Sequence, residues 1–250
     1  MTRLVLSDAQ WMAMAPPCLG KAGDRGRSGT DNRLFVEAVL WKARTSSPLR
    51  DLPEAFGKWN TIWRRFDDWC RAGVWERMFE AVSDDPDMEY AMIDATIVPA
   101  HRHGHGAKGG PQYQAIGKSK GGWTTKILAL TDALGNLVRF KLLAGQRYDT
   151  LGVAPLIEGV EFSTILADKA FDSNWIIDEM NARGAQIFIS QRLQRKQSLK
   201  IDTEIYKWRH LIENFFAKLK EFEAIAMRCE KTDRNFRSMI ALVAALIRLR

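Results

Sequence analysis

A tyrosine, an arginine, a glutamate and a lysine recur at helical spacing between Tyr206 and Lys220. Each residue of an α-helix advances about 100°. Tyr206, Arg209, Glu213 and Lys220 would therefore fall within roughly 60° of one another on one face. Trp208, Leu211, Ile212, Phe215, Leu219 and Phe222 would gather on the opposite face, and a stripe that broad needs a core behind it. The polar face offers one carboxylate between two cations and a phenol, a set that suits a metal ion together with a phosphate chain. Two lone aspartates upstream would complete a metal site. Asp94 sits inside an apolar run, where a carboxylate is costly unless it is paired or bound to a cation. No Lys or Arg lies within six residues of it. Asp168 follows the apolar run Thr164-Ile-Leu-Ala167, and open α/β sheets bind ligands at the carboxyl ends of their strands. Three carboxylates from two strands and a helix can converge on one or two hard cations. Mg²⁺ takes few protein carboxylates and keeps positions for water and phosphate oxygens, and two such ions stabilise both the attacking and the leaving oxygen of a phosphoryl displacement. The competing account is local neutralisation, with Lys169 beside Asp168 and Arg209 one turn before Glu213.

The elements that must position these groups fall into two regions. Residues 1–83 read as helical: Ser7 to Gln10 is a capping box, Thr30 or Asp31 caps a second helix, and a short helix near Leu52–Phe56 leads through a turn at Gly57 to a helix from Asn60 to Arg71. In that last helix Ile62, Phe66 and Trp69 make the apolar stripe, while Arg64, Arg65 and Asp68 point outward. Two helices joined by a tight Gly turn, the second bearing arginines, resemble a helix-turn-helix, so Arg64 and Arg65 are candidate DNA contacts, with plain bundle packing as the rival reading. Ser83 to Asp87 reads as a linker. Residues 88–250 then change period. Strands are expected at Tyr90–Val98, Thr124–Leu130, Leu137–Leu143, Thr164–Ala167 and Ala185–Ser190, with a hairpin at Gly135-Asn136. Helices are expected at Thr150–Glu158, Ser173–Arg183, the Tyr206 stretch and Asn235–Arg250. The class is α/β (α+β): a mixed sheet flanked by helices, preceded by a small all-helical region.

Composition narrows the partners. The 250 residues carry 37 Lys+Arg against 30 Asp+Glu, a net charge of +7, which favours a polyanion. Cys18, Cys70 and Cys229 are odd in number and match no zinc spacing, so free thiols in a reducing compartment are expected. The N-terminal stretch has no apolar run long enough for a signal peptide, and Met239–Ile247 is too short to span a bilayer.

The loop from His101 to Gly122 carries His101, His103, His105, Lys108, Lys118 and Lys120. Alternating histidines can ligate zinc, but no cysteine or acid lies close by. A loop tracking a DNA backbone is the better reading, because imidazoles and lysines donate to phosphates. Gly117 to Gly122 lacks the spacing and context of a nucleotide-binding loop, so no nucleotide cofactor is expected. Arg192, Arg195, Lys196 and Lys200 make a second basic loop, phosphate-tracking or merely solvated.

Tyr206-x2-Arg209-x3-Glu213-x6-Lys220 resembles the Y-R-E-K signature of bacterial insertion-sequence transposases of the DDE type. The stretches RHLIENFFAKLKEFEAIAMRCEKTDRNF, MIDATIVPAHRHGHGAKGG, QAIGKSKGGWTTKILALTDALGN, ADKAFDS and LRDLPEAFGKWNTIWRRFDDW are similar to the insertion sequence five family, in one collinear order over nearly the whole chain. The sequence departs from that pattern at Tyr148, Ala170 and Gln194. The resemblance implies an RNase H-like catalytic fold, with Asp94, Asp168 and Glu213 as a triad binding Mg²⁺ or Mn²⁺, two ions per site. It implies that Arg209 and Lys220 hold DNA phosphates and that Tyr206 hydrogen-bonds a phosphate or stacks near a strand end. The implied partners are double-stranded DNA, as terminal inverted repeats and target, and a second copy of the chain on paired ends. No membrane partner is implied, and the place of action would be the bacterial cytoplasm at the nucleoid. The alternatives are a decayed copy that only binds DNA and a plain metal-dependent nuclease.

Overall fold

The computed structural model describes residues 4–21, 23–24, 29, 31–83, 85–191 and 201–250. In chain order the helices are α1 (Asp8–Met14), α2 (Asn32–Thr45), α3 (Trp59–Arg71), α4 (Val74–Glu80), α5 (Val153–Ile157), α6 (Asn174–Ala182), α7 (Thr203–Lys207), α8 (His210–Lys220), α9 (Glu223–Ala226) and α10 (Asp233–Arg248). The strands are β1 (Tyr90–Pro99), β2 (Gly117–Ser119), β3 (Gly122–Thr131), β4 (Leu137–Ala144), β5 (Thr164–Ala167) and β6 (Gln186–Ile189). They pack into two units that interleave in sequence. The first comprises Met1–Asp84, Ala100–Gln114 and Leu219–Arg250, the second Asp85–Pro99 and Ala115–Lys218.

The first unit is helical. Ser7 and Gln10 close the expected capping box on α1. Asp31 accepts from the Leu34 N–H to start α2, and Thr232 accepts from Asn235 to start α10. Gly73, in the left-handed region at φ 65°, lets α4 fold back from α3. The core is aromatic: Trp75 is fully buried and meets Phe35, Phe66 and Trp69 at ring distances of 5.8, 5.7 and 5.1 Å. α10 is buried along most of its length, which accounts for its run of small and apolar residues. The helix expected at Leu52–Phe56 is a single 3-10 turn, Glu54–Phe56, hemmed in by Pro53 and by Gly57 at φ 91°. The pair leading into α3 is thus a 3-10 turn and an α-helix rather than two α-helices.

The second unit is built on one mixed sheet. β1 lies between antiparallel β3 and parallel β5. β6 extends the parallel side, and β4 and the short β2 both pair with β3. This antiparallel meander continued by parallel strands, with helices around it, is the RNase H-like arrangement. One face is packed by Ile93, Leu128, Leu130, Ile165 and Ala167 against Val153, Leu156 and Ile157 of α5 and Ile176 and Met180 of α6. The β3–β4 hairpin turns where expected, with the Asp132 carboxylate accepting from the N–H groups of Leu134 and Asn136.

Three local expectations change. β2 forms inside the anticipated His101–Gly122 loop. The Thr150–Glu158 helix opens as a 3-10 turn, Asp149–Gly152, before α5. The helix expected to run unbroken through Tyr206–Lys220 is interrupted at Trp208-Arg209, between α7 and α8. There the N–H groups of Trp208, Arg209 and Leu211 reach back three residues, to Ile205, Tyr206 and Trp208. That tighter winding breaks the regular α-helical angle, while the Trp208 ring meets the edge of Tyr90 at 5.0 Å. No helix of the described residues is long and apolar enough to cross a membrane.

Candidate active site

β1 and β5 run side by side in register from Tyr90 opposite Thr164 to Ile93 opposite Ala167, where the ladder ends. The next positions are Asp94 and Asp168. Neighbouring strands lie about 4.8 Å apart and in-register side chains share a face, so the two carboxylates stand together where the strands part. Asp94 alternates away from Ile93 and Ala95, which face the apolar core. Beyond the last rung the Ala95 N–H donates to Asp94 Oδ1 at 2.8 Å. Asp168 leaves the sheet by capping the turn that follows, its Oδ1 accepting from the Ala170 N–H at 2.8 Å.

The third carboxylate arrives with an arginine. Arg209, in the break between α7 and α8, places Nη2 2.6 Å from Asp94 Oδ2 and 3.3 Å from Glu213 Oε1. The side chains of Arg209 and Asp94 are only 14% and 17% exposed, whereas that of Glu213 is 57% exposed. The Arg209 guanidinium also lies 5.9 Å from the Tyr206 ring. Asp94 therefore does have a basic partner, one far away in sequence. Burial, with the charge of Asp168 added, still raises the Asp94 pKa above the ordinary carboxylate value, because Arg209 offsets the cost only in part. Among the described residues no three His, Cys, Asp or Glu side chains are gathered tightly enough to hold a metal ion. A guanidinium nitrogen stands between Asp94 and Glu213 instead.

Residues 85–248 match the family described as "Transposase DDE domain". The chain belongs to the DDE-domain transposases. Its residues 6–79 match the family described as "Putative transposase of IS4/5 family". Over 132 residues this transposase is 37% identical to "Putative transposase for insertion sequence element IS6501" of Brucella ovis, spanning 51% of this chain and 99% of that one. Over 105 residues it is 42% identical to "Uncharacterized protein y4sN" of Sinorhizobium fredii, spanning 41% of this chain and 82% of that one. A looser likeness, at TM-score 0.49 and 12% identity, joins 94% of the chain to 70% of a piggyBac transposase in a synaptic complex with hairpin DNA.

The remaining expected contacts of the transposase are placed as follows. Tyr206, Arg209, Lys118 and Lys120 belong to the second unit with the three acids, and Lys220, Arg64, Arg65, His101 and His103 to the first. Lys118 and Lys120 are exposed at the β2–β3 turn. By register Lys118 pairs with Trp123, which shares the face of Asp94 along β3. Lys220 ends α8 half-buried, and burial lowers its amine pKa. His101 accepts from the His103 N–H and the two rings lie 4.8 Å apart. Arg64 is exposed, but Arg65 does not point outward as expected. Its guanidinium lies 4.4 Å from the Phe35 ring and 4.9 Å from the Trp69 ring and donates to Asn32. Arg192, Arg195, Lys196, Lys200 and Gln194 lie outside the described residues.

One ion pair not anticipated from the sequence lies on the opposite face of the sheet from Asp94, where Lys126 alternates with Leu128 and Leu130. Lys126 of β3 meets Asp149 at 2.6 Å, with side chains 12% and 18% exposed, and also donates to the Arg147 carbonyl. A lysine inside an apolar strand was the available signal, by the same argument that singled out Asp94.

Proposed function

We propose that this chain cuts DNA at the ends of an insertion sequence and joins the freed 3′ ends to target DNA, with Asp94, Asp168 and Glu213 as its metal-binding acids. The observation that carries this reading is the position of Asp94 and Asp168, each one residue past the last β1–β5 pair, with Arg209 joining Asp94 to Glu213. The donor set fits a hard divalent ion. It is all carboxylate oxygen, it sets three acids against one arginine, and a guanidinium already stands in for a cation at Asp94. Bound to these three residues, Mg²⁺ or Mn²⁺, two ions per site, would activate water and stabilise the attacking and leaving oxygens.

Water attacks the phosphorus at the element's end and the bond to the 3′ oxygen breaks, leaving a 3′ hydroxyl on the element. That hydroxyl then attacks a target phosphodiester and displaces its 3′ oxygen. No covalent protein–DNA bond is needed, so no serine, tyrosine or cysteine acts as nucleophile. Arg209 and Tyr206 steady the phosphate being attacked, and Lys220 contributes a point charge to the backbone. His101, His103, Lys118 and Lys120 track phosphates. Residues 1–83 recognise the ends through the exposed side of α3, led by Arg64, and residues 88–250 carry out the chemistry. Two ends require two sites, so the working form is a dimer on paired ends, acting on chromosomal DNA in the bacterial cytoplasm.

The test is strand transfer with Mg²⁺ on DNA bearing the element's ends. Asp94→Asn, Asp168→Asn and Glu213→Gln should each bring cleavage and joining to background. Undiminished activity in any of them would remove that acid from the mechanism, and cleavage without joining would favour a plain nuclease.

A further inference from the structure

The contact made by Arg209 is an odd one for a purely structural arginine. Strong arginine–carboxylate pairs use two nitrogens in a fork. Here one nitrogen, Nη2, serves both Asp94 and Glu213. Nε is buried and has no hydrogen-bond partner among the described residues. One cation is shared between two acids while Asp168 stands beside the first. A phosphate, with several oxygens in the geometry a guanidinium fork prefers, would satisfy donors that this arrangement leaves idle. The arginine also sits in the break between α7 and α8 rather than on a continuous helix, where its backbone is held by three-residue bonds.

We propose that Arg209 is the counterion of Asp94 only while DNA is absent, and that a DNA phosphate draws it away, so that DNA and the divalent cation bind this site cooperatively. The inference rests on the assignment of Asp94, Asp168 and Glu213 as metal-binding acids. Without DNA, Arg209 occupies the side of Asp94 and Glu213 that a metal would need, and it keeps a buried carboxylate neutralised. With DNA, the guanidinium moves to the phosphate and its place between the two acids falls open. Linkage makes the effect reciprocal: the cation must strengthen DNA binding by the same factor by which DNA strengthens cation binding.

The first measurement is Mn²⁺ binding to the full chain without DNA, by calorimetry or by the paramagnetic resonance of free Mn²⁺. Arg209→Gln should bind Mn²⁺ about tenfold more tightly than wild type, within the usual range of coupling between sites. Asp94→Asn should lose that binding. The second measurement uses only wild type and Asp94→Asn, so it stands even if the Arg209 variant folds poorly. Fluorescence anisotropy of a labelled mixed-sequence duplex, with and without Mn²⁺, should show DNA affinity rising about tenfold with the metal in wild type and not in Asp94→Asn. Mn²⁺ binding equal in wild type and Arg209→Gln, or DNA affinity indifferent to Mn²⁺, would overturn the exchange while leaving the acids in place. Mn²⁺ binding undiminished in Asp94→Asn would instead overturn the assignment of the site itself.

Discussion

Asp67 shows how a single carboxylate can organise a helical unit. Burial pushes its pKa upward, but the hydrogen bond from Asn235 and the pairing with Arg71 and Arg234 outweigh that and hold it below its ordinary 3.8. A depressed carboxylate contributes stability that is fully present above the unfolded pKa and is lost as the pH falls through the folded one. Asp67→Asn should therefore flatten the fall in urea stability below about pH 4 and cost about 2 kcal/mol at neutral pH. Glu37 does comparable work. It is buried and accepts from the N–H groups of Val5 and Leu6, tying the start of the described chain to α2. Residue chemistry of this kind was legible where a charge interrupts an apolar pattern, as at Asp94. Its partner was not, because Arg209 lies 115 residues away and nothing local links the two. Arg65 misled for a related reason: helical periodicity sets it beside Arg64, but two aromatic rings drew it inward.

At the scale of elements, the start of α8 is held by a neighbour as much as by its own sequence. Gly135, at the β3–β4 turn, has φ 79°, and a Cβ there would lie 2.9 Å from Leu211 Cβ and 3.1 Å from the Leu211 carbonyl oxygen. Gly159 has φ 65° with nothing within 4 Å of such a Cβ. Gly159→Ala should therefore cost only the backbone penalty, about 1 kcal/mol. Gly135→Ala should cost measurably more and disturb the segment bearing Glu213. Urea denaturation of the two variants makes the comparison, and equal losses would show that the turn does not constrain α8. Every strand but β2, and the starts of α1, α2, α3 and α6, followed from alternation and local sequence signals. The break at Trp208-Arg209 did not, because Trp208 fits an apolar helical stripe equally well, and its contact with Tyr90 is tertiary.

For the whole molecule, the net charge of +7 bears on the proposed contact with DNA. Binding should weaken steeply with salt as released counterions return to the phosphates. Adjacent arginines should then separate cleanly. Arg64→Ala should lower the slope of log affinity against log salt by about 1. Arg65→Ala should leave the slope unchanged and lower the melting temperature, because its guanidinium serves the aromatic core. Anisotropy across a salt series and a thermal melt read the two effects apart, and a slope change in Arg65→Ala would return it to the DNA surface. The α/β class and the helical start of the chain could be read from period and charge. The interleaving of the two units could not, because Ala100–Gln114 and Leu219–Arg250 carry no compositional mark of the unit they join.

The end of the β1–β5 ladder leaves one proton in a telling place. The Ala95 amide donates to the Asp94 carboxylate, so its resonance should move whenever that carboxylate changes partner. A nitrogen–proton correlation spectrum would thus carry, in a single backbone peak, a running account of what Asp94 holds.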